Sequence, residues 1–204
     1  MISIISNLKQ EFKEGNILNK LIYINVGLFL LFSILGVFSF MFQFNINPIL
    51  YKLYLPASNQ ILIKQPWSFI TYMFLHGGFM HLIGNMLYLW IFGDNVEDIL
   101  GKPVFIIFYC LCGVVAALSQ ALPDPSSTIP MIGASGAIYG LLVAYGFTYP
   151  NRFVYLYGLF PLKVKHMVLG LGVIAFFASL SASQSNVSHI THLSGMIIGL
   201  IFMY

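Results

Sequence analysis

Charge is what this sequence lacks. Of its 204 residues only nine are Lys or Arg and six are Asp or Glu, while 59% are hydrophobic and the mean hydropathy is +0.88. A soluble domain of this length needs a more polar surface than that, so a water-soluble globular protein is excluded. Between Lys20 and Lys52 there is no Asp, Glu, Lys or Arg at all, and about 20 apolar residues are enough to cross a bilayer. The fold class expected is an all-α polytopic membrane protein. Cysteine is nearly missing too. Cys110 and Cys112 lie two apart in one apolar stretch, where helix geometry turns them to different sides; neither a disulfide nor a metal site is expected. The formal net charge of +3 is spread along the chain without a basic cluster, which speaks against nucleic acid as a partner.

Residues 1–20 are polar and mixed in charge, and read as a short cytoplasmic tail before a membrane domain over 21–204. Leu21–Phe42 is too long for a signal-peptide core and has no small-residue cleavage site, so it is expected to remain as the first span. Six spans are predicted, near 21–42, 81–98, 103–121, 134–149, 165–183 and 188–204. Pro103, Pro123, Pro125, Pro130, Pro150 and Pro161 fall at or near their ends, where helix punctuation belongs. The last span stops at Tyr204, about 16 residues after Ser188, which is short for a hydrocarbon core of ~30 Å. It reads either as a short helix tucked into the bundle or as a chain cut before the helix ends.

Segment 43–80 is different. Pro48, Pro56 and Pro66 break it, and Tyr51, Tyr54, Trp67, Phe69, Tyr72 and Phe74 run through it. Such aromatics favour the membrane–water boundary, so a structured, membrane-associated first loop is expected. Lysine and arginine set the orientation. With the N-terminus inside, the cytoplasmic segments hold Lys9, Lys13, Lys20, Lys102, Arg152, Lys163 and Lys165, and the outer segments only Lys52 and Lys64. That bias gives an integral multi-pass protein with a cytoplasmic N-terminus; a bacterial inner (plasma) membrane is the expected location.

In that orientation spans 2, 4 and 6 all run inward, and their outer ends carry His81 and Asn85, Ser135, and His192. Polar groups are costly in a bilayer and mark function by default; three of them at one depth form a candidate site just below the outer surface. A serine becomes nucleophilic when a base takes its proton, and histidine is the usual base. Ser135 and His192 are the candidate pair. Gly136-x-x-x-Gly140 and Gly195-x-x-x-Gly199 are small-residue faces that let helices approach closely, and Tyr139, one turn below Ser135, could pack on the imidazole. Donors for an oxyanion are available in the Ser135 amide, free at a helix start, and in Asn85 and His81, four apart on one helix face. No acid lies near His192 in sequence and only Asp124 falls on the outer side, which favours a Ser–His dyad over a triad. Each residue alone has a blander reading: the Gly133–Gly136 string as helix packing, His192 as a core histidine, Asn85 as interhelical glue. His189, one turn before His192, competes for the base role, but the glycine face follows His192. His76 and His166 read as interfacial, with a supporting role at the site as the second reading for His76. Scattered histidines form no zinc-type ligand set, so no metal or cofactor is expected.

These motifs resemble the rhomboid family of intramembrane serine proteases, over roughly residues 20–204. Gly133-Ala134-Ser135-Gly136 looks like the family's nucleophile motif, His192-x-x-Gly195-x-x-x-Gly199 like its base motif, and His76-x4-His81-x3-Asn85 like the opening of its second helix. Trp67 and the run Trp90–Glu97 are similar to family features as well. The resemblance implies a six-helix bundle in which Ser135 is the nucleophile and His192 the base. Asn85, His81 and the Ser135 amide would form the oxyanion hole, with Tyr139 as a buttress and Gly133 as a supporting part of the motif. It further implies transmembrane protein substrates drawn from the lipid bilayer past a movable fifth helix or loop. Rhomboids often have Trp-Arg where this chain has Trp67-Ser68, so anchoring of the first loop by arginine is not expected here. A rhomboid-like client binder without activity would normally lack the serine or the histidine. A transporter would carry polar groups through the middle of several spans, whereas here they gather at the outer ends.

Overall fold

Apolar runs without interior charge fold as helices, because in lipid only intrahelical bonds satisfy the backbone. The computed structural model of the chain describes residues 15–56, 58–121, 130–156, 158–180 and 189–204. Tail residues 1–14, the loop residues Pro123, Asp124 and Pro125, and Ser188 lie outside them. Helix α1 spans Ile17–Phe42, so it begins within what was expected to be the tail. The first loop folds into α2 (Asn47–Leu53), α3 (Asn59–Leu62) and α4 (Ser68–Thr71), followed by a 3₁₀ turn at Tyr72–Phe74. Then come α5 (Phe79–Leu100), α6 (Lys102–Ala121) and α7 (Ser135–Thr148). A hairpin of β1 (Phe153–Leu156) and β2 (Phe160–Lys163) leads into α8 (Val164–Leu180), and α9 covers His189–Met203. The hairpin is a departure from the all-α expectation, in a stretch taken as a plain connection.

Among the described residues, α1 and the stretch Lys102–Gln120 of α6 have the length and hydropathy of a full span. Helices α7, α8 and α9 have 14, 17 and 15 residues, or about 21 to 26 Å at 1.5 Å per residue. Helix α5 is long enough but ends in Asp94, Glu97 and Asp98.

Helix α7 is the centre of the bundle. Every residue from Gly140 to Gly146 is buried, as befits a helix that is apolar all round. Helix α9 lies on it, with Gly195 against Gly136 and Gly199 against Gly140; both numbers rise together, so the two helices run parallel. Helix α5 is parallel to α7 as well, since His81 meets Gly133 at one end and Phe92 meets Tyr145 at the other, ring centroids 5.0 Å apart. The antiparallel α6 fills the back, with Ala116 on Gly136 and Cys112 on Gly140. Three helices therefore begin at one end of the molecule.

Helix α1 is fixed from the other end. Its first amides have no intrahelical acceptor, and the buried Glu97 supplies two: its oxygens accept from the backbone N–H of Ile17 at 2.8 Å and of Leu18 at 2.7 Å. Asn16 donates to Asp94 beside it at 2.8 Å. The first loop is held without an arginine. Trp67 Nε1–H donates to the Lys52 carbonyl and Thr71 Oγ1–H to the Leu53 carbonyl, each at 2.7 Å. Ser68 is fully buried and donates to the Gln65 carbonyl at 2.6 Å.

Candidate active site

The start of α7 is shaped by the strand-like segment before it. Leu55 and Met131 exchange two backbone hydrogen bonds of 3.0 Å, and the Gly133 N–H donates to the Tyr72 carbonyl at 2.9 Å. Tyr72 is in turn fixed by its hydroxyl, which donates to the Gly113 carbonyl at 2.7 Å. The first loop and α6 thus set the approach to Ser135. Gly133 has φ +116°, on the side of the map that L side chains avoid, and a Cβ there would stand 2.7 Å from His81 Nε2. Only glycine permits both the turn and the imidazole against it.

Ser135 is the first residue of α7, where the backbone N–H lacks an intrahelical partner. Its Oγ lies 2.9 Å from His192 Nε2. His192 is buried and stacks on Tyr139, ring centroids 4.1 Å apart and planes 4° from parallel. The stack fixes the imidazole plane, while the Gly136–Gly195 contact fixes the helix that carries it. A second lock lies behind: Ser119 and Ser194 hydroxyls meet at 2.8 Å, and Ser194 also donates to the Thr191 carbonyl at 2.9 Å. Sequence reasoning missed this tie between α6 and α9, although Ser194 is two residues from His192.

A cavity of about 220 Å³ opens beside the pair, lined by His81, Asn85, Ser135, Tyr139 and the apolar Met80, Ile138, Leu142 and Leu171. Asn85 is buried. One of its amide hydrogens goes to the His81 carbonyl at 2.8 Å; the group has a second donor, left for the cavity. All six residues singled out, Ser135, His192, Asn85, His81, Tyr139 and Gly133, therefore fall in one place. His189 packs edge-on to His192 with centroids 6.1 Å apart, and His76 packs edge-on to His81 at 5.1 Å. Both His76 ring nitrogens are buried without a protein partner, and burial, then the His81 neighbour, lowers its pKa to about 4. His166 is exposed at the far end. The described acids Asp94, Glu97 and Asp98 start nine residues beyond Asn85 on α5, about 14 Å along the helix.

The profile of the Rhomboid domain matches residues 64–204, well over half of the chain and the whole of the site. The chain belongs to the rhomboid family. Rhomboids are integral membrane proteins. This rhomboid is 29% identical to YdcA of Bacillus subtilis (strain 168) over 138 residues, covering 68% of this chain and 66% of that one. Rhomboid protease GluP of the same organism is 30% identical over 146 residues, 70% of this rhomboid and 27% of GluP. Rhomboid protease GlpG of Yersinia pestis (strain Pestoides F) is 26% identical over 141 residues, 69% and 48% of the two chains. The matched stretch is thus between about a quarter and two thirds of each relative's own length.

Proposed function

We propose that this rhomboid is a serine endopeptidase that hydrolyses peptide bonds in or beside the transmembrane segments of other membrane proteins. The observation that carries the reading is the 2.9 Å contact between Ser135 Oγ and His192 Nε2, within reach for proton transfer. With Nε2 as acceptor, His192 takes the hydroxyl proton as Ser135 Oγ attacks the scissile carbonyl carbon. The oxyanion receives hydrogen bonds from the Ser135 amide, the spare Asn85 amide hydrogen and His81, donors fixed before charge develops. The imidazolium then protonates the leaving amine. Water, activated by the same imidazole, releases the acyl group from Ser135. The distance of the described acids from the site supports a dyad, with Tyr139 taking the orienting role a carboxylate has elsewhere.

All six long helices cross the bilayer in this reading, with the short α7 enclosed by the others. The ends of the molecule differ in their number of Lys and Arg: Lys20, Lys102, Arg152, Lys163 and Lys165 lie at the end away from the site, Lys52 and Lys64 in the loop at the site end. That asymmetry supports a cytoplasmic N-terminus and an outward-facing site, and the bacterial relatives support a plasma membrane. A substrate helix must unwind to present its carbonyl, so segments with Gly or Pro near the outer boundary are favoured. The test is co-expression with a tagged single-span reporter. Cleavage by the unaltered chain should fall by about 10³-fold or more in Ser135→Ala and His192→Ala. Cleavage that survives Ser135→Ala overturns the reading, and loss in His189→Ala with His192→Ala active reassigns the base.

A further inference from the structure

The hairpin between α7 and α8 has two faces of different chemistry. Val154 and Leu162 are opposite each other in the register and pack against the core. The alternate positions turn outward: Phe153 pairs with Lys163 and Tyr155 with Pro161. Phe153 and Tyr155 are 56% and 61% exposed; at the turn Leu159 is 73% exposed, and Phe160, opposite Leu156 on the same side as Leu162, is still 65% exposed. A contiguous apolar patch of this kind marks a contact surface. Positive charge rims it, in Arg152, Lys163 and Lys165, and no Asp or Glu occurs from Pro150 to His166. The neighbouring acids on α5 are largely engaged, Asp94 by Asn16 and Glu97 by the start of α1; Asp98 is exposed. Arg152 is also engaged, donating to Asn95 at 2.8 Å and lying 3.8 Å over the Tyr149 ring. Lys163 stands 5.8 Å over the Phe153 ring, and Lys165 is exposed.

Position decides what covers this face. Strand β2 runs without a break into α8, whose Leu169, Ile174, Phe177 and Leu180 are all more than 60% exposed and belong against acyl chains. Lys165 sits one turn before Leu169 on the same side of α8. The outer face of the hairpin is therefore continuous with the lipid-facing surface at the level where it leaves the hydrocarbon. Aromatic rings with lysines that reach upward suit that level. We infer that the hairpin lies in the headgroup layer and, through Lys163 and Lys165, selects anionic lipid headgroups. This goes beyond the peptidase reading and needs only that the helices span a bilayer, so inactivity toward peptides would leave it standing.

Photo-crosslinking tests it on the full chain in nanodiscs of equal phosphatidylcholine and phosphatidylglycerol. The photoreactive residue p-benzoylphenylalanine replaces Tyr155, or Phe160 as a second probe, with Ile174 as the acyl-chain control; adducts are read by intact mass. Phosphatidylglycerol adducts should exceed phosphatidylcholine adducts at 155 and 160 by about fivefold or more, the worth of one lysine at an anionic surface. The Ile174 probe should show no preference, and Lys163→Gln with Lys165→Gln should abolish the preference at 155. Equal adducts at 155 and 160 in the unaltered chain overturn the inference. So does the absence of lipid adducts there while Ile174 yields them, which would turn the face toward water or a protein.

Discussion

Replacing Gly195 by alanine inserts one methyl group where α9 rests on α7, directly against the Gly136 carbonyl oxygen. Neither partner is the end of a flexible side chain, so the strain is relieved by moving a helix or not at all. The size of the movement follows from the next contact along. A Cβ at Gly199 would stand 2.5 Å from the Gly140 oxygen, where ordinary contact starts at 3.4 Å, and Gly195 is tighter still. Parting the helices by about 1 Å would carry His192 Nε2 from 2.9 Å to roughly 4 Å from Ser135 Oγ, outside hydrogen-bond range. Overpacking of this kind costs about 1–3 kcal/mol, which lowers the melting temperature, whereas a misplacement of about 1 Å costs up to ~100-fold in rate. Gly195→Ala should therefore lose up to about 100-fold in rate while still folding, with a lowered melting temperature. The assay is reporter cleavage by purified protein in detergent with melting in parallel. Gly170→Ala is the control, since nothing lies within 4 Å of its Cβ position. A Gly195→Ala enzyme that cleaves at the unaltered rate would refute the claim that this backbone contact sets the dyad.

Further outcomes are expected from the same structure. Asn85→Ala should reduce the cleavage rate by about 10²–10³-fold with little change in substrate affinity, whereas an unchanged rate would remove Asn85 from the oxyanion site. Glu97→Ala strips two amides of α1 of their acceptor, at about 1–3 kcal/mol each, and should lower the melting temperature of the purified protein; Glu97→Gln, which retains one acceptor oxygen, should fall between. His76 is held neutral in the fold, with its pKa near 4 against about 6.5 in an unfolded chain. Below pH 6.5 the unfolded chain gains the proton first, so stability is full above that value and declines as pH falls toward 4. The decline should be shallower in His76→Gln, and melting curves for the two proteins that shift in parallel with pH would contradict it.

The residues that gather at the site were legible because short-range helix geometry carries them. The spacings Ser135 to Tyr139 and His192 to Gly195 to Gly199 fix faces without reference to anything distant, and as the second, fourth and sixth spans the three helices share a direction because successive spans alternate. What stayed hidden depends on partners far along the chain. Glu97 read as one acid in a motif, since its acceptor role is toward amides 79 and 80 residues away. The Ser119–Ser194 tie joins hydroxyls 75 residues apart. The first loop was expected to be structured, but its anchors are backbone carbonyls of Lys52 and Leu53, which carry no sequence signature. The hairpin was missed because Phe153–Leu156 and Phe160–Lys163 are four residues each and Pro161 speaks against a strand; an edge strand in a two-stranded pair tolerates it.

A Ser135 nucleophile activated by His192 is open to direct test by covalent labelling. The purified chain is treated with a fluorophosphonate and the adduct located by peptide mass mapping. A single adduct on Ser135 is predicted, absent in Ser135→Ala and slowed by about 10³-fold or more in His192→Ala. An unlabelled Ser135 in a folded chain, or labelling that proceeds equally fast in His192→Ala, would contradict it.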